Sequence, residues 1–206
     1  MRIVVLGATG ATGRQVLAIA RRHGHHVVAL ARRPEALSDA VDVGLEVRQA
    51  DVHEPGRVAA ACRDADAVVS ALGSRGKGPT GTLSAGARAI TDAMPSRVAW
   101  MGSFGIGASH RRAGPLYAFI QRRVLGAGFA DKAAADEVVS GPNCTIFHPV
   151  ILTGGAATGR ATVTPVDELD RSWRFMPPKV SRADVAAAMI AEVESPAYGG
   201  RTVAVF

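Results

Sequence analysis

Gly7, Gly10 and Gly13 stand at spacing three inside the run IVVLGATGATGRQV, directly after an apolar stretch and directly before an amphipathic one. A turn of this kind bends tightly, lets backbone approach a ligand with no Cβ between them, and packs the next helix close on the strand. The free N–H groups and positive end of that helix then attract a diphosphate. About 20 residues further on, where a dinucleotide fold can present a carboxylate to ribose hydroxyls, the chain carries Leu30-Ala31-Arg32-Arg33. Arginine makes charge-assisted bonds to a phosphate that a carboxylate would repel. The pair therefore favours a 2′-phosphate, and with it NADP(H) over NAD(H); two solvated arginines on a loop are the plainer alternative.

Two more stretches fit the same chemistry. Asp51 can accept from an adenine amino group while Val52 flanks the ring, and the same carboxylate can cap a helix beginning at Pro55. Ala71-Leu72-Gly73 closes a further apolar run with small residues, which would let backbone approach a ribose or a nicotinamide.

The elements that must position these residues alternate. Short β-rich runs are expected at 2–6, 26–31, 46–51, 67–72, 98–101, 144–147 and 202–205, and helices near 13–23, 55–62, 82–94, 116–125, 132–140 and 182–194. Strands alternating with helices are the pattern of β-α-β units around a parallel sheet. The expected fold is α/β, a Rossmann-type doubly wound parallel sheet in a single domain over residues 1–206. Its substrate-side loops fall around 102–130 and 153–180, beyond the carboxyl ends of the strands. Gly24 reads as the glycine that ends the first helix, and Ser181-Arg182-Ala183-Asp184 has the spacing of a capping box.

With 206 residues, 48% hydrophobic and 20% charged, the chain can bury a core of its own and is not of the disordered class. The net charge of +6 invites a nucleic-acid partner, but the arginines are dispersed in pairs (Arg21-Arg22, Arg32-Arg33, Arg111-Arg112, Arg122-Arg123) instead of forming a stripe. A phosphate-rich small ligand explains the charge more simply. No stretch approaches the ~20 apolar residues of a membrane helix, and the opening IVVLGA is too short for a secretory core. Cys62 and Cys144 lack any C-x-x-C spacing and read as buried free thiols. A cytoplasmic protein is expected, with a small-molecule acceptor, no nucleic acid and no membrane, monomeric unless it dimerises.

Together the segments GATGATGRQVL, LARRPEAL, ADVHEP, DADAVVSALGSRG, SAGARAITDAM, VAWMGSFG, FHPVILTGG and SRADVAAAMI resemble the atypical short-chain dehydrogenase/reductases with an NAD(P)H-binding domain. The likeness is to the flavin reductase/biliverdin-IXβ reductase type, with NmrA-like regulators as relatives, and it runs in order over nearly the whole chain. It implies that Gly7, Thr9, Gly10, Ala11, Thr12 and Gly13 hold the diphosphate, Arg32 and Arg33 the 2′-phosphate, and Asp51 and Val52 the adenine. It also implies that Ala71, Leu72, Gly73 and Arg75 lie by the cofactor. Met101, Pro149 and Val150 would border the nicotinamide, Ser103 would be the active-site serine, and Lys132 would lie over the nicotinamide ribose.

The resemblance has departures. The Tyr-x-x-x-Lys pair of orthodox members is absent, because Tyr117 is followed four residues later by Gln121; a core or loop role for Tyr117 is expected. The histidine on the substrate side of biliverdin-type enzymes is replaced by Val150. The implied function is a reductase passing hydride from NADPH to a flat conjugated acceptor such as a flavin or quinone. A non-catalytic NADP(H) sensor is the alternative, and sugar-nucleotide epimerisation, which uses the missing pair, is disfavoured.

Four other features are ambiguous. His23, His25 and His26 bunch at one turn with no acid nearby in sequence, so a solvated surface is expected there and no metal. His148, before Pro149 at a strand's carboxyl end, is expected to be structural. Lys77 could draw an anionic substrate or simply be solvated. Trp173 and Phe175 could wall a flat acceptor or cover the core.

Overall fold

The computed structural model describes residues 1–40, 44–73, 81–126, 128–170 and 176–206. Ten strands form: β1 (Arg2–Leu6), β2 (His26–Ala31), β3 (Leu45–Gln49), β4 (Ala67–Ser70), β5 (Val98–Met101), β6 (Cys144–Pro149), β7 (Ile151–Thr153), β8 (Val163–Pro165), β9 (Lys179–Ser181) and β10 (Thr202–Val205). Six α-helices connect them: α1 (Ala11–Arg22), α2 (Pro55–Arg63), α3 (Thr82–Ala93), α4 (Pro115–Leu125), α5 (Gly128–Val139) and α6 (Arg182–Glu194).

Continuous apolar runs such as IVVL and AVV have no polar face, so both sides of those strands must be covered. Alternate residues go to opposite cores. Ile3, Val5, Val27, Ala29 and Val69 pack under α1 and α6 with Val16, Leu17, Met189 and Ile190. Val4, Leu6, Val28, Val68 and Trp100 pack under α2, α3 and α5 with Val58, Leu83, Ile90 and Ala135. Each fully buried Val, Leu or Ile contributes about 1.5–3 kcal/mol, which is what holds helices on both faces.

The main sheet runs in the order β3-β2-β1-β4-β5-β6-β10-β8, and β7 pairs with β9 in a separate two-stranded sheet. All neighbours in the main sheet are parallel except β10 and β8. The doubly wound Rossmann-type sheet expected from the sequence is thus present, with an antiparallel edge added. The strand order reverses between β1 and β4, and in such sheets the crevice at that switch point is where ligands sit.

Several bounds differ from the sequence reading. The third strand ends at Gln49 and the fourth at Ser70, so Asp51, Ala71 and Leu72 lie just beyond their strands. β1 has run out by then: Leu6 O accepts from Ala71 N at 2.9 Å and the chains part. α1 begins at Ala11 instead of Gly13, and α5 at Gly128 instead of Lys132. The short strands β7, β8 and β9 were not expected. α1 ends as the sequence indicates, with Gly24 at φ +78°, Gly24 N donating to Arg21 O and His25 N to Ala20 O. This is a Schellman turn, which glycine enters without steric penalty.

Candidate functional site

The glycine turn sits at the carboxyl end of β1, directly over the switch point. Gly7 adopts φ +72°, and a Cβ there would overlap the carbonyl of Ala71. A Cβ on Gly13 would overlap the carbonyl of Gly7 and the Cα of Ala8. Gly7 therefore lets β1 pass close by the end of β4, and Gly13 lets α1 sit directly on the turn. Gly10 is different. It has ordinary backbone angles, and a Cβ there would meet only Gly7 O, at 3.2 Å. It is the N-cap of α1, and no side chain caps that helix end. The first N–H groups of the helix are left to whatever lies in front of them.

In front of them lies a cleft of about 600 Å³. Gly7, Thr9, Gly10, Ala11 and Thr12 line it together with Arg32 and Arg33, and so do Val52, Ala71, Leu72, Gly73 and Met101. Leu30, Ala50 and Val58 add apolar surface, and Arg14 and Arg182 add two cations that the sequence reading did not single out. Arg14 is already engaged, with Nη1 2.8 Å from Asp39 Oδ2 and Nη2 donating to Ala36 O. Its hydrogen bond holds the Asp39 carboxyl below the usual carboxylate range. Arg32 and Arg33 are exposed at the end of β2, and among the described residues no carboxylate is paired with their guanidinium groups. A bare helix N-terminus, a turn with no room for a Cβ at Gly7 and Gly13, and a pair of exposed arginines suit a dinucleotide bearing an extra phosphate.

Other residues singled out from sequence lie elsewhere. Asp51 accepts from His53 N at 2.9 Å, in the turn that leads into α2, and is not in the cleft lining. Gly13 is buried in the first turn of α1, against Gly7 and Ala8. Pro149 ends β6 and its carbonyl accepts from Phe104 N at 3.1 Å, while Val150 is a core residue whose N–H donates to Val205 O. Tyr117 is buried against Phe104 and accepts from Gln121 Nε2 at 2.7 Å, and burial pushes its phenol upward. It occupies the core position expected of it. Arg75, Lys77, Trp173 and Phe175 lie outside the described residues.

Ser103 follows β5 two residues after Met101 and is half-buried, with no side-chain hydrogen bond among the described residues. Lys132 is on α5. Burial lowers its pKa, against the opposite pull of Asp136 one turn on and of Asp131. Asp131 itself caps a different helix. Its carboxylate accepts from Leu83 N and Ser84 N, each at 3.1 Å, at the start of α3, whose own N-cap, Gly81, offers no side chain.

A buried polar chain beside this region was missed as a unit. His148 Nε2 lies 2.9 Å from Asp136 Oδ2, His148 Nδ1 lies 2.7 Å from Ser109 Oγ, and Trp100 Nε1 donates to Asp136 Oδ1 at 2.9 Å. Ser109 Oγ also accepts from Gly105 N at 2.9 Å and lies 3.1 Å from Ile106 O. The hydroxyl thus has one proton to share between the imidazole and that carbonyl. The chain ties the loop after β5 to β6 and α5. A Cβ on Gly102 would press on the His148 ring, so the residue between Met101 and Ser103 is held against it by the absence of a side chain. His148 is structural, as expected. Asp136 carried one usable signal: an acidic residue on the apolar face of an alanine-rich helix, between Ala135 and Val139.

The turn histidines also changed meaning. His23 and His25 both contact Glu194, the last residue of α6, so the acid missing nearby in sequence is present in space.

Among the described residues no helix is long and apolar enough to cross a membrane. A family described as NAD(P)H-binding matches residues 7–196 of the chain. An isoflavone reductase homolog from Zea mays is 33% identical over 81 residues, a stretch covering 35% of this chain and only 26% of that relative. The anaerobillin reductase ChuY of Escherichia coli O157:H7 superposes with a TM-score of 0.82 at 24% identity, covering 100% of this chain and 97% of that one. A short-chain dehydrogenase/reductase of Veillonella parvula, solved with NADP, gives 0.76 at 17% identity, with 99% and 93% covered. At such identities these two likenesses are of fold.

Proposed function

The chain belongs to the NAD(P)H-binding family, and from that membership we propose that it is an NADPH-dependent reductase delivering hydride to a flat conjugated acceptor. The observation that carries this reading is the cleft itself: an uncapped α1 N-terminus at one wall and two exposed arginines at the end of β2, with no carboxylate among its described lining residues. Gly10, Ala11 and Thr12 would hold the diphosphate, Arg32 and Arg33 the 2′-phosphate, and Leu30, Ala50, Val52 and Val58 the adenine. When bound, the nicotinamide supplies the hydride.

The chain's own contribution is binding, orientation and exclusion of water. Met101 would lie beside the acceptor end of the cleft, and the Ser103 hydroxyl, without another partner, would hydrogen-bond the acceptor. Lys132, whose ammonium burial makes easier to deprotonate, would supply the proton, although it is not among the residues that line the cleft. Tyr117 is held in the core, which removes the orthodox acid and favours acceptors whose reduced form conjugation stabilises. The name of the ChuY neighbour, an anaerobillin reductase, supports the reductase reading. A cytoplasmic location accords with two buried free thiols.

The test is NADPH oxidation by the purified protein against flavins, quinones and biliverdin, with NADPH and NADH binding measured by calorimetry. Turnover with a member of the panel is the expected result. Tight NADPH binding with no turnover on any acceptor would overturn the reductase reading and leave an NADP(H)-sensing role.

A further inference from the structure

α1 and α6 lie side by side on one face of the sheet. Their N-terminal ends contribute Gly10–Thr12 and Arg182 to the cleft, and their C-terminal ends meet at the opposite edge of the molecule. There His23, the C-cap of α1, and His25, just past Gly24, approach Glu194. His23 Nδ1 is 2.8 Å and His25 Nε2 is 2.6 Å from the same oxygen, Glu194 Oε1. The two rings stand edge to face, 6.3 Å between centroids. The other nitrogen of His25, Nδ1, lies 3.5 Å from the Met1 amino group.

Two imidazole nitrogens aimed at one point, with a carboxylate oxygen beside it, are the donor set of a three-ligand transition-metal site. We propose that His23, His25 and Glu194 bind a zinc-class divalent cation that fastens the end of α1 to the end of α6. All three donor atoms lie within 4.8 Å of one another. Binding a cation would draw the two imidazoles and the carboxylate in from hydrogen-bond distance to metal–ligand distances of about 2.0–2.2 Å. Gly24 makes this possible: its left-handed turn reverses the chain so that residues two apart present their rings to one side. Nitrogen donors favour zinc, nickel or copper over magnesium and calcium, which take oxygen shells. Three protein ligands leave one tetrahedral position to solvent.

The experiment is calorimetric titration of the purified protein with zinc chloride and, separately, magnesium chloride, together with the visible spectrum of the cobalt-substituted protein. One equivalent of zinc should bind with a Kd on the order of micromolar, cobalt should give the intense absorption of tetrahedral coordination, and magnesium should not compete. His25→Ala and Glu194→Gln should each weaken zinc about tenfold or more. His53→Ala, an exposed histidine elsewhere, should bind as the parent does. Circular dichroism of each variant separates a lost ligand from a lost fold, and Glu194→Gln, which keeps the side chain's shape, carries the decision. Unsaturable zinc binding, equal affinity in Glu194→Gln, or equal affinity for magnesium would overturn the site.

Discussion

Gly7 and Ala71 touch where the two halves of the sheet diverge: the Cα of Gly7 leaves no room for a Cβ against the Ala71 carbonyl. Two glycines of the same turn are consequently needed for different reasons. Gly7→Ala combines a left-handed backbone, about 1–2 kcal/mol, with steric overlap, about 1–3 kcal/mol, and should lower stability by about 2–5 kcal/mol in urea unfolding. Gly10→Ala should stay within about 1 kcal/mol of the parent, yet lose most NADPH affinity because its methyl would stand before the α1 N–H groups. Unchanged NADPH binding in Gly10→Ala would remove this turn from the diphosphate site.

Arg32 separates the two nicotinamide cofactors. Arg32→Ala should weaken NADPH by about 1.5–3 kcal/mol, the value of a hydrogen bond to a charged group, and leave NADH within a factor of about two. Calorimetry with both cofactors measures this, and an equal loss for both would place the 2′-phosphate elsewhere.

Asp136 holds two buried donors at once, Trp100 Nε1 and the His148 ring. Asp136→Ala would orphan both, and each unsatisfied buried donor costs about 1–3 kcal/mol, so a loss of about 2–6 kcal/mol is expected. Glu137→Ala, at the exposed neighbouring position, should stay within about 0.5 kcal/mol. Matching stabilities for the two variants would show that the polar chain does not hold the loop after β5.

Asp184 gives the protein an acid-sensitive joint. Burial alone would raise its carboxyl, but Ser181 Oγ at 2.7 Å, Thr158 N at 2.8 Å and Gly159 N at 2.9 Å together lower it. The unfolded chain therefore takes up a proton before the folded one does. The stabilisation is complete above the ordinary aspartate value of about 3.9 and disappears as pH falls through the lower folded value. Asp184→Asn should lose about 1.5–3 kcal/mol at neutral pH, and its urea midpoint should converge with the parent's in that acid window. A constant gap from pH 7 down to 2 would contradict the linkage.

Much of this arrangement was legible beforehand where local chemistry decides it. β1, β2, β5, β10 and α6 have the expected bounds because apolar runs, glycines and the Ser181–Asp184 cap mark them within a few residues. The Ser181 hydroxyl does accept from Asp184 N, at 3.0 Å. β7, β8 and β9 are three residues each, in a segment of glycines, threonines and prolines, and form only because other elements offer them a partner. The same distinction governs the site. The glycine turn and Arg32 announce themselves by spacing, whereas Glu194 reaches His23 across 171 positions of sequence and Asp136 reaches His148 through the packing of α5 on the sheet. No local pattern encodes such meetings. They follow from which helix lands beside which.

β10, formed by residues 202–205, lies between β6 and β8 and, among the described residues, is the only strand that β8 pairs with. β1 to β6 can therefore pair while the outer edge of β6 is still bare. Until β10 arrives, that edge is an open template for any extended segment, including the same strand of a neighbouring nascent chain. Docking of β10 thus also closes a vulnerable edge, and variants that slow it should reduce the yield of newly made protein more than they reduce the stability of the finished molecule.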